Sequence, residues 1–254
     1  MGLLTRFRES SAIRLIEASL HQTKPPEQAV SAMRNLCECG SERAVPILRD
    51  ALFQDNVALQ IQAARALAAI HKRCPDVHIL EALNGAVLHE RQTAQARQAA
   101  IESLTEVIDY RHAGSLVEVL KSNRSPVNVR ASALRGLKRL HYPEIAERLV
   151  ESATFAKRLD PQGEIRKWAT RELIALDDRD KLTKMFEIIH GRRLLRYRPL
   201  NPDTGPADLI ALMVQIDPKL SVKFLHELVE DDNPTVHTAA DEALAQLRER
   251  GIHA

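Results

Sequence analysis

Aromatic residues are scarce in this chain: one Trp, three Tyr and five Phe among 254 residues, or 4%. That is too little ring volume to fill one large globular core. The apolar share is nevertheless 44%, so Leu, Ala, Val and Ile must bury themselves in many small, similar layers. With 28% charged residues the composition is too apolar for disorder. The three cysteines, Cys37, Cys39 and Cys74, are an odd number, which excludes a framework made wholly of disulfides and suits a reducing compartment. No apolar run reaches the roughly 18 residues that span a bilayer. The opening Met1-Gly-Leu-Leu-Thr-Arg-Phe-Arg8 carries charge where a signal peptide has its apolar stretch. Arg6 stands where a myristoylated Gly2 would need Ser or Thr. A cytoplasmic chain with no membrane insertion is the expectation. Alternation of period two is also missing, which leaves no candidate strand.

What the chain has instead is a helical frame of twelve residues, with apolar residues at +4, +8 and +11 from its first position. Clear copies begin at Leu59, Val129, Ile165 and Val236, and weaker ones at Gln28, Ala96 and Gly205. Each is preceded by another apolar-periodic segment, at roughly 11–21, 42–53, 76–89, 111–121, 143–157, 180–190 and 218–229. Ser125-Pro126, Asp160-Pro161 and Asn233-Pro234 read as helix starts, with a capping side chain and Pro at the first helical position. Two helices per unit, repeated every 31 to 40 residues, predict a solenoid whose hairpins cover their apolar faces only by stacking.

The drifting period departs from tetratricopeptide and ankyrin repeats, whose signatures are also missing. The Val-Arg-x-x-Ala-x-x-x-Leu frame at Val129-Arg130-Ala131-Ser132-Ala133 to Leu137 resembles HEAT repeats, particularly the short variety found in phycobilisome-lyase-like proteins. The resemblance covers about residues 11–250. It implies an all-α, right-handed α-solenoid of about seven HEAT-like helical hairpins in a single domain, 1–254. The repeats fall at approximately 11–40, 41–75, 76–109, 110–142, 143–178, 179–217 and 218–250. In that family an Asp before the second helix and an Arg one residue into the frame form a ladder. Here Asp55, Asp160 and Asp232 stand at the acidic place and Arg97, Arg130 and Arg166 at the basic one. Only the fifth repeat holds both.

The net charge of +2 conceals an uneven distribution. Residues 1–119 hold 13 Lys and Arg against 14 Asp and Glu, residues 120–200 hold 19 against 10, and residues 201–254 hold 4 against 10. A basic middle attracts anionic partners: an acidic protein, nucleic acid or phospholipid headgroups. At 100° per residue, frame positions +2, +6 and +9 point to solvent. They place Arg135, Lys138, Lys167 and Arg171 on the candidate binding face, the concave one, with Arg139 close by. Trp168 lies at its flank, either packing between repeats or offering a platform for a base beside the basic residues. The segment Gly191 to Gly205 breaks the repeat and interleaves Arg192, Arg193, Arg196 and Arg198 with Leu194, Leu195 and Tyr197. A long loop of this kind is an insertion or a binding element.

Catalytic constellations are lacking. Cys37 and Cys39 end one repeat and His71 and Cys74 the next, which admits a metal reading, but buried helical cysteine is the more ordinary one. His89-Glu90 and His226-Glu227 resemble the His-Glu pairs with which deoxyhypusine hydroxylase, a HEAT-type enzyme, binds two irons. That family carries them on second helices, whereas here both fall in first-helix segments. There is no Gly-rich phosphate loop and no Gly-x-Ser-x-Gly elbow. The sequence therefore predicts a non-enzymatic scaffold that binds a protein partner, with no cofactor, no metal and no catalytic residue. Two alternatives stay open: a nucleic-acid-binding protein similar to HEAT-like DNA glycosylases, and a bilin-lyase-like chaperone.

Overall fold

Alanine decides how the helices of this protein pack. The segment Val57–Arg73 holds six alanines among its seventeen residues, which favours helix strongly. Its start is fixed by Asn56, whose Oδ1 accepts from the backbone N–H groups of Ala58 and Leu59 at 3.0 and 3.1 Å. His71, Lys72 and Arg73 fill its last turn, where positive charge suits the helix dipole. Ala63, Ala64, Ala66 and Ala68 are buried, so neighbouring backbones approach closely on two sides.

The computed structural model describes residues 3–21, 25–122, 124–153, 163–175, 181–189 and 206–252. Among them all regular structure is helical: fourteen α-helices and two short 3-10 turns. They fall into two compact units, Met1–Tyr142 and Pro143–Ala254.

The first unit contains α1 (Leu3–Leu20), α2 (Pro26–Cys39), α3 (Val45–Leu52), α4 (Val57–Arg73), α5 (Val77–Leu88), α6 (Ala94–Thr105), α7 (Gly114–Lys121) and α8 (Val127–Arg139). Consecutive helices pair as hairpins. The second helices stack in the order α2, α4, α6, α8, and the first helices in the order α1, α3, α5, α7. Leu36, Leu48, Leu67, Ile79, Leu83, Leu104 and Leu116 are wholly buried between these layers. The second unit contains α9 (Ile145–Ala153), α10 (Glu164–Ala175), α11 (Lys181–Ile189), α12 (Pro206–Ile216), α13 (Pro218–Leu228) and α14 (Pro234–Glu249). There α10 packs on α12 and α12 on α14, while α9 packs on α11.

Buried polar side chains join each repeat of the first unit to the next. Glu9 accepts from the N–H and hydroxyl of Ser41 at 2.7 and 2.6 Å. Gln92 donates to the carbonyl of Leu52 at 2.8 Å. Arg97 donates from Nε to the carbonyl of Val87 at 2.9 Å and from Nη2 to Ser125 Oγ at 3.0 Å. Leu52 and Val87 lie in the last turns of α3 and α5, where backbone carbonyls have no partner inside their own helix. Arg97 occupies the ladder position expected of it, but it spans to a carbonyl and a hydroxyl. The helix start read at Ser125-Pro126 is different too. Pro126 rather than Ser125 is the residue before α8, and its side chain has no acceptor with which to cap the helix, while the Ser125 hydroxyl accepts from Arg97. At α14 the expectation is met: Asn233 accepts from Thr235 N–H at 3.0 Å, with Pro234 as first helical residue. Asp160-Pro161 lies outside the described residues.

Gly136 marks a close approach of α8 to α6 and α7. A Cβ there would sit 2.8 Å from Thr105 Oγ1 and 3.2 Å from Leu116 Cδ1, and the Thr105 hydroxyl is itself fixed by donating to the Ile101 carbonyl at 2.6 Å. Gly136→Val is expected to cost about 1–3 kcal/mol through overpacking, read as a lower urea midpoint. An unchanged midpoint would mean that α6 and α8 are not in contact at this position.

Candidate docking face on the second helices

Position +6 of the frame is exposed in every second helix of the first unit. It holds Arg34 on α2, Arg65 on α4, Glu102 on α6 and Arg135 on α8. Because these four helices stack one on the next, the residues form a row along one face, three of them guanidinium groups and one a carboxylate. The Arg135 guanidinium donates to Ser132 Oγ at 2.9 Å, which holds it close to its own helix. Lys72 pairs with Glu106 at 2.5 Å across the α4–α6 step, and at this exposure the pair contributes little to stability.

In the first unit the expectation that +9 also faces solvent is not met, whereas in the second unit Ile174 and Ala245, at +9 of α10 and α14, are exposed. Ala68 and Thr105, at +9 of α4 and α6, are buried, and Lys138 at +9 of α8 is half-buried. The cause is the stack itself, since the Cβ absent at Gly136 would have met Thr105. Position +9 of α6 therefore faces the following helix, α8. Arg139, one residue on, is exposed.

In the second unit, Lys167 and Arg171 on α10 are exposed and Trp168 between them is half-buried. Arg171 Nε donates to the Lys167 carbonyl at 3.3 Å. The sequence-derived residues thus fall into two clusters: Arg135, Lys138 and Arg139 in one unit, Lys167, Trp168 and Arg171 in the other. Arg192, Arg193, Arg196, Tyr197 and Arg198 lie outside the described residues. Arg34 and Arg65 were not singled out from sequence, because they belong to the first 119 residues, where the charges cancel. Their signal was the shared frame position rather than the local charge.

Groups with chemical potential elsewhere are engaged in structure. Among the described residues no three His, Cys, Asp or Glu side chains are grouped to hold a metal ion. His71 Nδ1 sits 3.1 Å from the Asp76 backbone N–H. Burial pushes the Cys37 thiol up, a stronger influence than the Gln62 amide that approaches its sulfur at 3.9 Å. Burial, with Glu9 adding to it, also raises Cys39. Cys37 should react with iodoacetamide at pH 8 several-fold more slowly than an unfolded cysteine, since only the thiolate is nucleophilic. Mass spectrometry finding equal rates in native and urea-unfolded protein would contradict that burial. Hydrogen bonds from Arg111 and then His112 hold the exposed Asp109 carboxyl down to about 2, and Asp109 also caps the 3-10 turn Tyr110–His112. His89 closes α5 with its ring edge-on to Phe53, and Glu90 meets Arg124 at 3.5 Å. His226 and Glu227 are exposed on α13.

Residues 29–54, from α2 through α3, match the family model of the PBS lyase HEAT-like repeat. Over those residues the chain carries a HEAT-like repeat. No curated protein matches its sequence. Human deoxyhypusine hydroxylase, solved in complex with glycerol, is similar over 97% of this chain and 99% of its own, at 14% identity and a TM-score of 0.46. An engineered protein is similar over 94% and 97%, at 19% identity and a TM-score of 0.41. No helix among the described residues is long and apolar enough to cross a membrane.

Proposed function

We propose that this HEAT-like repeat protein is a non-enzymatic cytoplasmic scaffold that binds an acidic segment of another protein along the exposed face of its second helices. The observation that carries the reading is the row at frame position +6, in which Arg34, Arg65 and Arg135 are set on helices stacked in register. Helices fixed by their neighbours present these groups with little loss of freedom on binding, and guanidinium groups pair readily with carboxylates. Arg139, exposed on α8, adds to the basic character of the same unit.

Affinity purification from the native cell, with and without nuclease, tests this directly. The wild-type chain should retain a protein partner after nuclease treatment. The triple charge reversal Arg34→Glu, Arg65→Glu, Arg135→Glu should lose it while keeping the same helical circular dichroism. Undiminished recovery by the triple variant would overturn the assignment. A second reading is favoured by one observation, the half-buried Trp168 between exposed Lys167 and Arg171, which suits a base stacked beside neutralised phosphates. Its signature is a partner lost with nuclease and an affinity that falls steeply with salt.

A further inference from the structure

The sign of charge changes from one second helix of the first unit to the next. Every exposed charged side chain of α4 is basic: Arg65, Lys72 and Arg73. Those of α6 and its C-cap, Glu102 and Glu106, are acidic, and those of α8, Arg135 and Arg139, are basic again. Arg97 and Arg130, which would blur this order, are buried. Among these four helices α2 mixes the signs, with Glu27 and Glu38 exposed on either side of Arg34.

Some of these charges are already engaged. Lys72 and Glu106 pair across the α4–α6 step at 2.5 Å, and Arg73 donates to the carbonyls of Cys37 and Gly40 at 2.5 and 2.9 Å. Both signs occur in the turns at the helix ends, where Glu90 meets Arg124 and Asp109 meets Arg111. The side chains of Arg65 and Glu102, one helix step apart like Lys72 and Glu106, make no hydrogen bond or ion pair with any described residue. The +6 row thus offers a guanidinium on α4, a carboxylate on α6 and a guanidinium on α8. A run of acids laid along it would meet repulsion at Glu102.

We propose, resting on the reading of the +6 row as a docking face, that the bound segment is an extended peptide with one Lys or Arg between its acids. Asp or Glu lies over Arg65 and over Arg135, and the base lies over Glu102. Stacked helices are about 8–10 Å apart, a step that an extended chain spans in about three residues. An amphipathic helix fits less well, because α2, α4, α6 and α8 expose no large apolar side chain for its apolar stripe to cover. The order basic, acidic, basic reads the same from either end, so it leaves chain direction free. Arg34 admits a further acid over α2.

Fluorescence anisotropy of the full chain with two labelled synthetic peptides tests this. Both carry four charged residues separated by pairs of serine, in the order acid, acid, base, acid in one and all acid in the other. General attraction to a basic surface favours the all-acid peptide. The wild-type chain should instead bind the peptide with the base about fivefold more tightly, the worth of one well-placed exposed ion pair. Glu102→Arg should reverse the preference with circular dichroism unchanged, and spacers of five serines should erase it. A wild-type preference for the all-acid peptide, a preference untouched by Glu102→Arg, or one retained with the longer spacers would overturn the proposal and leave the docking face in place. Binding of neither peptide, or binding that Arg34→Glu, Arg65→Glu, Arg135→Glu leaves unchanged, would overturn the docking face and the proposal with it.

Discussion

Leu67→Ala is expected to lower the unfolding free energy by about 3–5 kcal/mol. Leu67 is 0% exposed at position +8 of α4, and α4 packs on α2, α3, α5 and α6. Collapse around the lost atoms is limited because the neighbouring residues are already Ala63, Ala64, Ala66 and Ala68, all buried. Short side chains on a helix held from several sides cannot reach into a leucine-sized void. The urea midpoint should fall accordingly, and amide exchange should quicken in α2, α4 and α6 together, because stacked repeats borrow stability from their neighbours. A loss below about 1 kcal/mol, or faster exchange in α4 alone, would contradict this packing.

Arg97→Met is the second large effect, about 2–3 kcal/mol. The side chain is only 2% exposed, and burial lowers its pKa, yet guanidinium stays protonated at neutral pH because its ordinary value lies so high. Methionine retains much of the volume and removes both donors, leaving the Val87 carbonyl and the Ser125 hydroxyl without the partner they have now. Burying a cation has its own cost, which the substitution relieves, and this sets the estimate below that for Leu67. Arg97→Lys separates geometry from charge, since one ammonium lacks the fork that serves both acceptors. It should recover less than half of the loss. Full recovery would mean that charge alone matters here.

Much of the fold was legible because stacking imposes one period on the sequence. Each second helix begins close to its frame, and Asn233 caps α14 as its side chain and the following Pro predict. First helices were less legible. Segments expected at 42–53 and 111–121 are α-helical only over Val45–Leu52 and Gly114–Lys121. In both, Ser41 or Asp109 starts a 3-10 turn first, and a local cap of this kind competes with the α pattern. Ser125 misled for another reason: its hydroxyl is taken by an arginine 28 residues earlier, a contact that no local pattern records.

The docking face was legible in part. Position +6 follows from helical geometry alone, whereas +9 of α4 and α6 turned inward because each of these helices leans on the one after it. The excess of positive charge lies in residues 120–200, whereas Arg34 and Arg65 share a face with Arg135 only once the helices are stacked.

Hydrogen–deuterium exchange of the full chain with its co-purified partner bound tests the central claim most directly. Slower exchange is predicted around Arg34, Arg65 and Arg135 on α2, α4 and α8, falling off as salt is raised, with the first helices α3, α5 and α7 unchanged. Slowing confined to α3, α5 and α7, or none on the second helices, would contradict it.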